Sequence, residues 1–310
     1  MRIRHLLLTA GICYAIATVI LAVSLSELAF HLARVPLNQR ISAEAIADRF
    51  GAAVQDVSVS ASDGTQLQAW YASPAKPNGN AVILIHGIGD NRQGMMGFAE
   101  LFLSRGYAVL VPDSRAQGTS GGGFPTYGVE ESKDVRDWFN WLQTRQHPNC
   151  VFGMGESMGA AIVLQAVKTT PFCAAVAESP FASFRQISYI RVGQVFHSGE
   201  WLGQYALRPS VELAFIYARL TRGVKLTAAS PELSVVGSRI PILLIHGLAD
   251  DNIPSRQSEM IRDHNPADII LWEVPYAGHC GAVSVAAEEF DSRVLGWFTS
   301  HGRNLHEKLS

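Results

Sequence analysis

A serine hydroxyl becomes a useful nucleophile only when a base takes its proton and an acid steadies that base. The 310-residue sequence offers these parts in three separate stretches. The first is Gly153-Met154-Gly155-Glu156-Ser157-Met158-Gly159, in which Gly-x-Ser-x-Gly lies between a β-rich apolar run and a helical stretch. Glycines beside a serine remove the Cβ atoms that would clash at a sharp strand-to-helix turn. Such a turn leaves the hydroxyl at a helix N-terminus, where developing negative charge is favoured. The pentapeptide alone recurs by chance, and its placement is what makes Ser157 the expected nucleophile. The second stretch, Ile245-His246-Gly247-Leu248-Ala249-Asp250-Asp251-Asn252-Ile253-Pro254, puts an aspartate in the loop after a strand-like run. The third, Pro275-Tyr276-Ala277-Gly278-His279-Cys280-Gly281, puts His279 after the last such run. The chemistry these parts support is acyl transfer. His279 takes the proton of Ser157, and Asp250 or Asp251 holds the imidazole tautomer.

Those three loops need a scaffold that brings them to one edge. Val57–Ser60 and Leu67–Tyr71 alternate around Asp63-Gly64, the pattern of a hairpin. The rhythm then changes to continuous apolar runs: Ala81–Ile85, Tyr107–Val111, Val151–Met154, Ala174–Ala177, Ile242–Ile245 and Ile269–Val274. Runs of this kind read as strands buried on both faces of a parallel sheet. Helix-like segments near Gln93–Ser104, Val129–Thr144, Met158–Lys168, Ser255–Asp263 and Ala286–Ser300 separate them. The expectation is an α/β fold with eight strands, mostly parallel and flanked by helices.

Two segments break that rhythm. Residues 180–239 are rich in aromatics such as Phe181, Phe184, Tyr189, Phe196, Trp201 and Tyr205, and are long enough for two or three helices. They read as an insertion after strand 6 that caps the catalytic face, with ordinary core helices as the alternative. Leu6–Phe30 is apolar with Glu27 as its only charge, and Arg2, Arg4 and His5 precede it. Its length exceeds a cleaved leader's apolar stretch and matches the roughly 20 residues that cross a bilayer. Residues 1–35 therefore read as a signal anchor and linker, with a short helix around 43–50 beyond it. The hydrolytic domain would occupy 36–310. The basic flank keeps the N-terminus cytoplasmic, so that domain would lie on the periplasmic or extracellular side. Cleavage after Ala22-Val23-Ser24 would instead give a secreted protein.

The net charge is −2, the apolar fraction 48% and the charged fraction 17%. Lysines and arginines are scattered, so no nucleic-acid partner is expected. Of four cysteines, Cys150 and Cys173 open neighbouring strand-like runs and read as two small buried residues, with a disulfide in an exported domain as the alternative. No Cys-x-x-Cys or Cys/His cluster indicates a metal, and no cofactor is expected.

From roughly Val57 to Phe298 the sequence resembles the α/β-hydrolase superfamily, in which nucleophile, acid and base follow in this chain order. His246-Gly247-Leu248-Ala249-Asp250-Asp251-Asn252-Ile253-Pro254 resembles the family's His-Gly-x-x-Asp-x-x-Val-Pro signature, which assigns the acid to Asp250, with Asp251 second. Gly278-His279 matches the family's Gly-His. His86-Gly87-Ile88-Gly89 resembles its His-Gly-x motif and implies an oxyanion hole from the backbone N–H groups of Ile88 and Met158. The resemblance makes His86 and His246 structural. Asp113 to Gly123 is similar to the Asp-x-Arg-Gly-x-Gly-x-Ser loop that packs under the site, with Ala116 and Gln117 as departures. Glu156 is expected to be a structural ion-pair or hydrogen-bond partner. The subgroup it most resembles is the membrane-anchored Bem46-like serine hydrolases. The implied activity is hydrolysis (EC class 3) of an ester, thioester or amide through an acyl-enzyme. Transfer to an alcohol by the same triad, or a binding module without catalysis, are the alternatives. The expected substrate is a small-molecule or lipid-like acyl compound.

Overall fold

A computed structural model describes residues 2–38, 49 and 51–307, so the short helix expected around 43–50 lies outside the described residues apart from Arg49. The apolar runs form one sheet: β1 Ala53–Ser60, β2 Gln66–Ser73, β3 Asn80–Ile85, β4 Ala108–Pro112, β5 Cys150–Glu156, β6 Ala175–Glu178, β7 Ile242–Gly247 and β8 Ile269–Val274. Their spatial order is β1-β2-β4-β3-β5-β6-β7-β8. The hairpin strand β2 pairs antiparallel with both β1 and β4, and every pair from β4 through β8 is parallel. The hairpin turn closes where the Asp63 carboxylate accepts the Thr65 N–H at 3.0 Å.

Burial on both faces explains the composition of the inner strands. Phe152 points to one face and stacks on Phe298 with ring centroids 4.4 Å apart. Its neighbour Gly153 points to the other, where an added Cβ would sit 3.1 Å from Val163. Phe298 belongs to α9 (Ala282–Glu307) and Val163 to α4 (Met158–Ala166), so helices cover both sides. Helix α2 (Met96–Ser104) joins α9 through stacked Phe102 and Phe298. Two more helices of this layer system are α3 (Glu131–Arg145) and α8 (Arg256–His264). The last helix begins four residues earlier than expected and bends at Ala286 (φ −139°, ψ 53°).

Two expectations are corrected. β8 is not buried on both faces: Ile270 and Glu273 are exposed while Ile269, Trp272 and Val274 are buried, so each face of this edge strand carries one exposed side chain. Cys150 and Cys173 are joined by a disulfide, with Cα atoms 5.8 Å apart. The pairing of β5 with β6 brings them together, since the Cys173 N–H donates to the Val151 carbonyl at 2.9 Å. That register is not visible in the spacing of two cysteines.

The chain divides into two compact units. Residues 33–182 and 230–310 form the larger and hold the sheet, and residues 1–32 and 183–229 form the smaller. The smaller unit contains α1 (Arg2–Phe30), α5 (Phe184–Val195) and α6 (Arg208–Arg222). Ser183 caps α5 by accepting the Gln186 N–H, and Pro209 sits in the first turn of α6. A four-residue helix, α7 (Pro231–Ser234), follows in the larger unit. Helix α1 packs on α6 and buries Ala22, Ser26 and Phe30 at four-residue spacing. The lone charge of its apolar run, Glu27, accepts from the Tyr217 hydroxyl at 3.0 Å and from Arg222 at 2.9 Å. A carboxylate in such a segment is tolerated when paired in this way.

Candidate active site

Parallel strands end on one side, so the residues after β3, β4, β5, β6, β7 and β8 share an edge. These are His86-Gly87, Asp113, Ser157, Ser179, Asp250 and His279. Ser157 has φ 52° and ψ −117°, in the left-handed region that a side chain seldom adopts. Such a residue costs about 1–3 kcal/mol and persists where surroundings over-determine it. Here the Ser157 N–H donates to the Glu178 carbonyl at 2.8 Å, tying the turn to β6. The flanking glycines are a steric necessity. A Cβ on Gly155 would meet Gly159 backbone at 2.4 Å, and one on Gly159 would meet the Ile85 oxygen at 2.1 Å.

Two distant residues converge on this turn. The Ser157 hydroxyl donates to His279 Nε2 at 2.9 Å, and His279 Nδ1 donates to Asp250 Oδ2 at 2.8 Å. The first partner is 122 residues from Ser157 and the second 29 from His279. Ser157 and Asp250 are buried, while His279 keeps partial access to solvent. Asp251, the second choice for the acid, is exposed next to Asp250.

Asp250 is built to stay charged. Its Oδ1 accepts the N–H groups of Asn252 (2.9 Å) and Ile253 (2.8 Å). Its Oδ2 also lies 3.3 Å from His246 Nε2. Burial opposes ionisation, but the hydrogen bonds from His246, His279 and Ile253 outweigh it and hold the carboxyl well below the usual range. His246 is fully buried, with Nδ1 2.7 Å from the Ser258 hydroxyl and Nε2 2.8 Å from the Ile253 carbonyl. It braces the acid and does not touch Ser157.

The loop after β3 passes beside Ser157: a Cβ on Gly87 would lie 3.5 Å from that of Ser157. His86 fixes this loop. Its Nδ1 donates to the Gly87 carbonyl at 2.8 Å, and its Nε2 accepts the Ser114 N–H at 3.0 Å. Burial pushes its imidazole below the ordinary value, in keeping with a neutral ring of one fixed tautomer. Gln117 Oε1 accepts the Gly89 N–H at 2.8 Å, so this departure from the family loop also steadies the segment holding Ile88. Met158 is the first residue of α4, where an amide has no intrahelical partner. Beneath the loop, Asp113 accepts the Arg92 N–H and guanidinium (both 2.8 Å) and the Thr119 N–H (2.7 Å).

A second group of carboxyls sits beside the elbow. Glu156 was expected to pair with a cation or a donor; its neighbours instead include Glu178 and Asp90. Burial, with those two carboxylates, pushes its carboxyl up to about 8. Glu178 faces it across the β5–β6 register and is almost fully buried. Burial is likewise the main cause that takes Glu178 up to about 7. One oxygen accepts the Ala282 N–H at 3.0 Å; the other has no hydrogen-bond partner among the described residues. Cys280, next to His279, has its thiol pushed up by burial and by the nearby carboxylates of Glu156, Glu178 and Asp250.

Glu178 and Gln117 escaped the sequence reading. The available signal for the first was a carboxylate ending an otherwise apolar run, Ala174-Ala175-Val176-Ala177-Glu178. Gln117 was marked only as a departure from the family loop, with no sign of its bond to Gly89. Among the described residues, no group of three or more His, Cys, Asp or Glu side chains is arranged to hold a metal.

Comparison with known proteins follows the same outline. YqkD of Bacillus subtilis is 27% identical over 204 residues, which is 64% of this chain and 64% of that protein. The aligned part is thus just under two thirds of the relative's length. The Pyrococcus furiosus esterase Pf2001 superposes with a TM-score of 0.69 at 23% identity, covering 87% of this chain and 99% of the esterase. The esterase domain of a Rhodothermus marinus protein gives 0.55 at 17% identity, covering 79% and 98%. These structures share the fold. Residues 82–292 match the alpha/beta hydrolase family, and the chain belongs to that family.

Proposed function

We propose that the protein is a serine hydrolase that cleaves an ester, thioester or amide through an acyl-enzyme on Ser157. The observation that carries this reading is the continuous hydrogen-bond chain from Ser157 through His279 to Asp250. His279 Nε2 accepts the hydroxyl proton as Ser157 attacks the acyl carbon, then returns it to the leaving group. Asp250 keeps the other ring nitrogen protonated and balances the imidazolium charge. The N–H groups of Ile88 and Met158 receive the developing oxyanion, where each donor is worth roughly 10²–10³ in rate. Water then hydrolyses the acyl-enzyme. An alcohol in its place would make the same triad an acyltransferase.

A fluorophosphonate probe on the full chain tests the nucleophile. Labelling that is lost in Ser157→Ala, in a protein with unchanged melting temperature, is the expected result. An unlabelled but folded wild-type chain would favour a binding module instead.

Location belongs to the same proposal. Helix α1 is long and apolar enough to cross a membrane. As a retained anchor with its basic flank inside, it would hold the hydrolase domain, residues 36–310 with the insertion 180–239, on the extracytoplasmic side. The Cys150–Cys173 disulfide supports that side, because such bonds persist in oxidising compartments. The anchor is also what favours the Bem46-like subgroup and a lipophilic acyl substrate.

A further inference from the structure

The anchor and the inserted helices cannot be assigned to separate environments. The apolar run of α1 begins at Leu6, just after Arg4-His5. Counting the roughly 20 residues that a bilayer core requires ends the span near Leu25. Ala22 and Ser26, on either side of that point, are already buried, in a helix that packs on α6. The last turns of the span and part of α6 therefore lie at the same depth.

The smaller unit has the surface for that position. Its exposed apolar side chains include Ile216 and Leu220, one turn apart on α6, the latter 80% exposed. Phe196, Trp201 and Tyr205 of the preceding segment are also exposed. Trp and Tyr are the side chains that favour the boundary between hydrocarbon and water. The charge points the same way. Residues 183–229 hold six basic side chains (Arg185, Arg191, Arg208, Arg219, Arg222 and Lys225) against two acidic ones, Glu200 and Glu212. The segment is thus net positive in a chain whose total is −2. Basic side chains among exposed apolar ones match an anionic lipid surface.

We infer that the inserted segment around α6 is itself a membrane-interface element, seated in the headgroup layer of an anionic membrane beside α1. This rests on α1 being a retained anchor and is independent of the role of Ser157. A soluble-lid role would leave these side chains in water, and a second copy of the chain would cover them with protein.

The test uses the full chain reconstituted in phosphatidylcholine vesicles with and without phosphatidylglycerol. An environment-sensitive fluorophore is placed on native Cys13 in α1 in a Cys280→Ser background, or on Leu220→Cys in a Cys13→Ala, Cys280→Ser background, with Ile216→Cys as the second site. The expected result is that bromolipid quenches both the Cys13 and the position-220 labels, while aqueous iodide does not. Reversing Arg219→Glu and Lys225→Glu should lower the position-220 quenching about twofold in the anionic vesicles. A quenched Cys13 label with iodide-accessible labels at 216 and 220 overturns the inference and leaves the anchor standing. An iodide-accessible Cys13 label overturns both. Labels at 216 and 220 that self-quench until diluted with unlabelled chain overturn it in favour of self-association.

Discussion

Asp250 and Glu178 sit at the carboxyl ends of neighbouring strands, both buried, and they ionise in opposite senses. Asp250 receives two backbone N–H groups and two imidazoles, and it stays charged. Glu178 receives one backbone N–H and faces Glu156, and its carboxyl rises to about 7. Burial pushes each toward the neutral form; the number of donors decides the outcome. The protein thus keeps one permanent charge beside His279, where the proposed mechanism places an imidazolium. The carboxyls of Glu156 and Glu178, on neighbouring strands, are instead raised to about 8 and 7.

Replacing the charged member should have the largest effect. Asp250→Asn preserves shape but offers His279 the wrong partner, and kcat/KM for a short acyl ester should fall on the order of 10³–10⁴-fold. A loss below tenfold would mean that the donors around Asp250 serve folding alone. Next comes the neutral member. Glu178→Ala leaves the Ala282 N–H without its acceptor at the start of the helix after His279, and urea unfolding should show a loss of about 1–3 kcal/mol. Glu178→Gln keeps an acceptor and should recover most of it. Equal losses in both variants would make the carboxyl itself, not the bond, the stabilising element.

The smallest effect is a pH slope. Glu156 and Glu178 titrate near 8 and 7 when folded and near 4.5 when free. Between those values the folded chain binds more protons, so their contribution is full below about pH 4.5 and is lost as pH rises through 7 to 8. Melting temperature should therefore decline as pH rises from about 4.5 and level off above about 8. The double variant Glu156→Gln, Glu178→Gln should flatten the decline, and an unchanged slope would place its origin elsewhere.

The sheet and the hydrogen-bonded Ser157, His279 and Asp250 share one source in the sequence. Buried parallel strands announce themselves as continuous apolar runs, and the candidate-site loops directly follow them, so Ser157, His279 and an aspartate at 250 or 251 could be read from position. The α/β-hydrolase resemblance then chose Asp250 over Asp251, and the bonds to Asn252 and Ile253 show how that carboxylate is held. What escaped depends on which strand lies beside which. Glu178 matters because β6 adjoins β5, and Arg92 meets Asp113 across 21 residues. The disulfide is hidden in the same register. The exposure of β8 was hidden because Ile270, on this edge strand, is an apolar residue facing water.

That disulfide has a topological consequence. Cys150 and Cys173 are 23 residues apart, and the ring they close contains Ser157, both of its glycines and all of α4. In the unfolded chain such a ring excludes many conformations, worth roughly 3 kcal/mol by loop-closure entropy. The strained serine turn is thus threaded into a covalent loop whose ends are already fastened. Chains made where thiols stay reduced carry the same triad without that fastening, so the compartment in which the protein matures governs how readily the elbow comes undone.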